Sequence, residues 1–118
     1  MKEGLPMIKG SFKRNESGHI TSFELSGHAE AGPYGSDIVC AAVSALAFST
    51  VNGIEALSGI EPLVEMDNEN GGQLYVEMRR DITGEQTNIS QILLENLLLG
   101  LQAVQAENPE FIDIKTIH

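Results

Sequence analysis

Residues 36–57, SDIVCAAVSALAFSTVNGIEAL, decide the fold. Ser36 is a good helix N-cap, and Asp37 stands where a negative charge meets the positive end of a helix. The stretch contains no proline, and small or apolar residues surround nearly its whole circumference. That pattern predicts a central, buried helix, closed by Gly59 and Pro62.

What flanks this helix reads as sheet. Residues 7–14 alternate, with Ile8, Gly10 and Phe12 on one face, and Asn15-Glu16-Ser17-Gly18 is a turn signal. Residues 20–26 then return as the second strand of a hairpin, which Gly27-His28 ends. Gly32, Pro33 and Gly35 forbid regular structure before the helix. After it, residues 63–66 and 73–80 flank the turn Asn68-Glu69-Asn70-Gly71-Gly72, with Leu74, Val76 and Met78 facing inward and Glu77 and Arg79 outward.

Asn88 is the expected cap of a second helix, with Gln91 completing a capping box and Asn108-Pro109 stopping the helix after Glu107. Leu93, Leu94, Leu97, Leu98, Leu99 and Leu101 occupy more than one face of it. One sheet cannot cover them all, which predicts a homodimer contact. Residues 111–117 alternate as a last strand. The order ββαββαβ is that of a two-layer α+β fold with a mainly antiparallel sheet and two helices, one domain over residues 1–118.

Composition narrows the class. The chain has 118 residues, 42% hydrophobic and 20% charged, the usage of an ordinary globular domain. Its single cysteine excludes an intramolecular disulfide and the multi-cysteine zinc modules. No stretch reads as a membrane span, and the start MKEGLPMIKG lacks the apolar core of a signal peptide, so a cytoplasmic protein is expected.

The net charge is −10, and its distribution matters more than its sum. No Lys or Arg stands between Arg14 and Arg79, an interval that carries acids from Glu16 through Glu24, Asp37 and Glu65 to Glu77. Such a field disfavours direct nucleic-acid binding and favours encounter with a basic peptide or protein. It is equally the solvated surface that keeps a protein soluble.

Reactive chemistry gathers between Gly27 and Ser44. Cysteine attacks as thiolate, a form promoted by a helix N-terminus and by a neighbouring imidazolium. Cys40 falls at the end of the first turn of the predicted helix, and His28 stands at the end of the strand before it. Asp37 shares a helix face with Cys40: it opposes the thiolate, or it orients His28 as the third member of a triad. Ser44 lies one turn further on, within reach to donate a hydrogen bond. Each residue also has a plain structural reading: Cys40 as a small core residue, His28 as a strand end, Gly32-Pro33-Tyr34-Gly35 as a connection. No metal or other cofactor is expected. Cys40, His28, His19 and His118 lack usual ligand spacing, and the glycine-containing loop has no Walker lysine.

The stretch SGHAEAGPYGSDIVCAAVSAL, residues 26–46, resembles the ribosomal-processing cysteine protease (Prp) family. A Gly-His at a strand end, a Gly-containing loop and a Gly-x-Asp-Ile-Val-Cys-Ala-Ala-Val-Ser helix start carry the likeness, and the order of elements fits. The resemblance implies a cysteine endopeptidase, active as a homodimer, that removes a short N-terminal extension from large-subunit ribosomal protein twenty-seven and so supports ribosome assembly. It implies His28 as general base and Cys40 as nucleophile. Gly27, Asp37 and Ser44 match supporting positions, and the loop holding Gly32, Tyr34, Gly35 and Ser36 would cover the bound peptide. The competing reading is a non-enzymatic acidic dimer that binds a basic ribosomal or assembly partner with Cys40 inert. A hydrolase of another acyl substrate is a third.

Overall fold

A computed structural model describes residues 7–27, 36–69 and 72–118. The elements are β1 (Ile8–Arg14), β2 (Ile20–Ser26), α1 (Ser36–Ser58), β3 (Leu63–Asp67), β4 (Gln73–Glu77), α2 (Gly84–Glu107) and β5 (Ile112–Ile117). The strands form one sheet in the order β3-β4-β2-β1-β5. Every pairing is antiparallel except β1 with β5, which is parallel because α2 carries the chain back to the same end of the sheet. This is the α+β architecture in ββαββαβ order that the pattern predicts.

Strand alternation sets the two faces. Ile8, Phe12, Phe23, Leu25, Leu74, Val76 and Ile112 are buried and join Val43, Ile54, Leu94, Leu97 and Leu101 of the helices in one core. Phe12 and Phe23 are direct cross-strand partners whose rings stack at 5.3 Å between centroids. Gly10 opposes both Leu25 and Ile114, and a Cβ there would lie 2.7 Å from one side chain and 2.8 Å from the other. The residue is glycine because its neighbours already fill that space.

The first helix departs from its expected environment. Val39, Val43, Ala47, Val51 and Ile54 form one buried stripe, but Ile38 and Leu57 are each 64% exposed, so α1 is covered on one side rather than all round. Asp37–Ser58 also has the length and apolarity to cross a membrane, with a mean hydropathy of 1.6, which the sequence reading passed over. Its buried stripe accounts for that apolarity as the core helix of this domain. Gly59 at φ 78° ends it, its N–H donating to Glu55 O at 3.1 Å.

The second helix begins earlier than Asn88. Its N-cap is Thr83, whose hydroxyl accepts from Gln86 N (3.1 Å) while the Gln86 amide oxygen accepts from Thr83 N (3.0 Å). Thr83 outcompetes Asn88 because Gln86 completes this box and also donates to Ser58 O at 3.1 Å, tying the start of α2 to the end of α1. Gln91, expected in the cap, does other work. Its side-chain amide makes two 2.8 Å bonds with the N–H and C=O of Ile20, standing in for a strand partner at the sheet's end. There the β1–β2 register slips between Lys13 and Arg14, and Arg14 turns its guanidinium to the Glu95 carboxylate on α2 and to Gly18 O. Strand β4 ends at Glu77 rather than Arg80, although Met78 N still donates to Thr21 O at 2.9 Å.

Candidate active site around Cys40

The end of β2 and the start of α1 meet at Gly27 and Cys40. Gly27 has φ 83°, and its N–H donates to Gly72 O at 2.9 Å, so the end of β2 is bound to the residue just before β4. A Cβ on Gly27 would sit 2.9 Å from Met7 O, so both the backbone angle and the available space demand glycine. The Cys40 thiol donates to Gly27 O, with sulfur and oxygen 3.6 Å apart.

Cys40 is 6% exposed and belongs to the core cluster, beside Val39 and Val43. It is the fifth residue of α1, about one turn from the helix's positive end. Asp37 and Ser44, at i−3 and i+4, share its side of the helix; Asp37 is exposed and Ser44 half-buried. Ser36 is the first residue of α1. His28, Gly32, Tyr34 and Gly35 lie outside the described residues, as do Asn70 and Gly71 of the second turn. Among the described residues no three His, Cys, Asp or Glu side chains come close enough to hold a metal ion.

Strand β3 carries an apolar surface that sequence reasoning missed. Met66 pairs with Leu74, which pairs with Leu25; Val64 pairs with Val76. Paired residues share a face, so Met66 and Val64 lie on the helix-bearing side of the sheet. Yet they are 52% and 39% exposed, because the helical layer stops short of β3. Ile38, in the first turn of α1, is a further exposed apolar residue. All five residues of β3 are exposed, and one of its edges has no strand partner among the described residues. The signal in the sequence was the run Leu63-Val64 and Met66, three apolar residues in a strand too acidic to be central.

Charge on the open face is arranged locally. Tyr75 donates its hydroxyl to Glu77 at 2.6 Å, and this bond holds its ionisation above the ordinary tyrosine value. Gln73 donates to Glu24 at 2.7 Å. On the other side of the fold, the Arg14 guanidinium holds the Glu95 carboxyl below the ordinary glutamate value.

Comparison with known proteins gives one family. The sequence profile of "Cysteine protease Prp" matches residues 7–113. The chain is 33% identical over 110 residues to the ribosomal processing cysteine protease Prp of Bacillus subtilis, covering 93% of this chain and 97% of that protein. Its fold is similar to that of SMU.848 from Streptococcus mutans, with a TM-score of 0.88 and 38% identity over 99% of this chain and 98% of the other. It is also similar to Prp from S. aureus, solved in complex with a substrate peptide (TM-score 0.80, 31% identity) and with a covalently linked product peptide (TM-score 0.77, 33% identity). Each covers 93% of this chain and 99% of the other.

Proposed function

This chain belongs to the Prp family of ribosomal processing cysteine proteases, and we propose that Cys40 is its nucleophile and His28 its general base. It is a hydrolase, and of the readings open in the sequence the cysteine protease stands. The observation that carries the assignment is that Cys40 is the only cysteine in the chain. A cysteine protease with one thiol has one candidate nucleophile.

The chemistry then follows from the connections at Gly27. The strand that leads into His28 is joined to the thiol through Gly27 O. His28 takes the Cys40 proton, and the thiolate adds to the scissile carbonyl to give a tetrahedral oxyanion near the start of α1. The C–N bond breaks as His28 returns the proton to the leaving amine, leaving a thioester. Water, deprotonated by His28, adds to the thioester and releases the acid and the thiol. Because Cys40 is 6% exposed, a peptide carbonyl must displace cover from the sulfur before this bond forms. Asp37 and Ser44 support the pair from the same side of α1, and the segment holding Gly32, Tyr34, Gly35 and Ser36 covers the bound peptide.

The substrate on this reading is the N-terminal extension of large-subunit ribosomal protein twenty-seven, and the site of action is the cytoplasm. The peptide lies extended along the free edge of β3, with apolar side chains against Val64 and Met66. Ribosomal proteins are basic, so the acidic interval from Glu16 to Glu77 draws the substrate in. The protein acts as a homodimer, supported by Ile92 and Leu99, seven residues apart on α2 and 69% and 64% exposed.

The experiment is mass spectrometry of a peptide spanning the extension junction, incubated with wild type, Cys40→Ala and His28→Ala. Cleavage at one bond by wild type, lost in both variants, is the expected result. Retained cleavage by Cys40→Ala overturns the assignment, and a folded wild-type protein that leaves the junction intact overturns the substrate. Sedimentation of wild type at micromolar concentration as monomer alone overturns the dimer.

A further inference from the structure

The far end of the sheet holds a second concavity that the peptidase chemistry does not use. A cleft of about 520 Å³ lies between the β1–β2 hairpin, the segment after β4 and the first half of α2. Ile20, at the start of β2, lines it, whereas Gly27 follows the end of that strand. Seven residues of extended chain separate the two ends by about 23 Å, too far for direct contact with Cys40.

Its charge runs against that of the whole chain. Of seven Lys and Arg residues in a protein of net charge −10, Lys13, Arg79 and Arg80 line this one cleft, together with His19. Glu77 is the one acid among the lining residues. Arg79 spends its Nε–H on Glu61 O at 2.8 Å, which anchors the guanidinium and leaves the donors of its two terminal nitrogens. A basic peptide would be repelled here, which sets the cleft apart from the substrate site proposed above.

A second observation comes from α2. Ser90 lines the same cleft, is 0% exposed, and its hydroxyl has no hydrogen-bond partner among the described residues. A buried hydroxyl left unpaired is costly, and most such groups in folded proteins are satisfied by protein, water or ligand. Its neighbour Gln91 is already committed to Ile20. A buried hydroxyl behind a cleft rimmed by guanidinium and ammonium groups suits a phosphate, whose oxygens accept from such donors.

We propose that this cleft is a phosphate-binding site, separate from the peptidase centre, in which Lys13, Arg79 and Arg80 supply charge and Ser90 a hydrogen bond once its cover shifts. The phosphate belongs to a small free molecule or to the backbone of RNA, and these two sources present the same chemistry to the cleft.

The test is amide NMR titration of the full chain with inorganic phosphate and, separately, with a short single-stranded RNA, at constant ionic strength. Saturable shifts at Ile20, Ser90 and Gln91 are expected. The double variant Lys13→Gln, Arg80→Gln should weaken binding by about tenfold or more, since charge-assisted bonds dominate such sites. Lys9→Gln, Lys115→Gln removes equal charge from the open face and should leave binding within about twofold. Ser90→Ala should weaken it with the fold retained by circular dichroism. Tighter binding of RNA than of phosphate assigns the polymer; equal binding assigns the small anion. The absence of saturable shifts with both ligands, or equal loss in the two double variants, overturns the proposal.

Discussion

The sulfur of Cys40 lies 3.6 Å from the carbonyl oxygen of Gly27, so the helix that carries the thiol and the strand that leads to His28 meet at these two residues. Gly27 is at the same time pinned from the other side, through its N–H to Gly72 O. The position of the thiol relative to the end of β2 therefore depends in part on the backbone of Gly27.

Gly27→Ala tests that dependence. At φ 83° an alanine is strained by about 1–2 kcal/mol, and its Cβ would meet Met7 O, a backbone atom that cannot swing aside, at 2.9 Å. Urea denaturation should show a loss of about 2 kcal/mol or more. Peptide cleavage should fall further than stability alone explains, because the carbonyl beside the sulfur moves. A destabilised variant with wild-type kcat/KM would show that the Gly27 carbonyl does not help to position Cys40.

The Arg14–Glu95 pair gives a pH-dependent prediction. Arg14 holds the Glu95 carboxyl below its ordinary value, chiefly through the side-chain hydrogen bond. A carboxyl depressed in the folded state contributes stability above its unfolded value, near 4.5, and loses it as pH falls through the folded one. Glu95 is 41% exposed, so solvent screening keeps the contribution below about 1 kcal/mol. Glu95→Gln should therefore be slightly less stable than wild type at pH 7, with the difference shrinking towards zero in acid. A difference that persists unchanged well below pH 4 would assign the effect to packing instead.

How far the sequence discloses this molecule can be argued from single residues. Alternation in Ile8, Gly10 and Phe12 is local, and the observed strand keeps it. The α1 and hairpin signals are local too, and all seven elements appear in the expected order. Asn88 misled because a capping box can be read at two places, and only the contact from Gln86 to Ser58 O, on another helix, decides between them. The breadth of apolar residues on α1 suggested full burial, but how far a neighbouring layer reaches is not written in the helix itself. Ile38 is exposed for that reason. Cys40 was legible because the chain has no other thiol, whereas Val64 and Met66 acquire meaning only when pairing with Val76 and Leu74 fixes which face they share.

Val64 and Met66 supply the last prediction, which concerns how substrate is held. Met66 is 52% exposed on the helix-bearing side of β3, and Leu63 is 51% exposed on the opposite side, where it pairs with Glu77. The two side chains are similarly accessible on one edge strand and differ in the face they occupy and by about 10 Å along the strand. If the peptide lies along β3 on the side of Cys40, Met66→Lys removes an apolar contact worth about 1–2 kcal/mol and sets a cation against a basic substrate. Its kcat/KM should fall by about tenfold or more, mostly through KM, while Leu63→Lys should stay close to wild type. Neither change should alter stability by much more than about 0.5 kcal/mol, because both sites are open to water. Equal effects of the two substitutions on kcat/KM would mean that their added charge, acting at long range on a basic peptide, accounts for the loss. The edge of β3 would then have no part in binding.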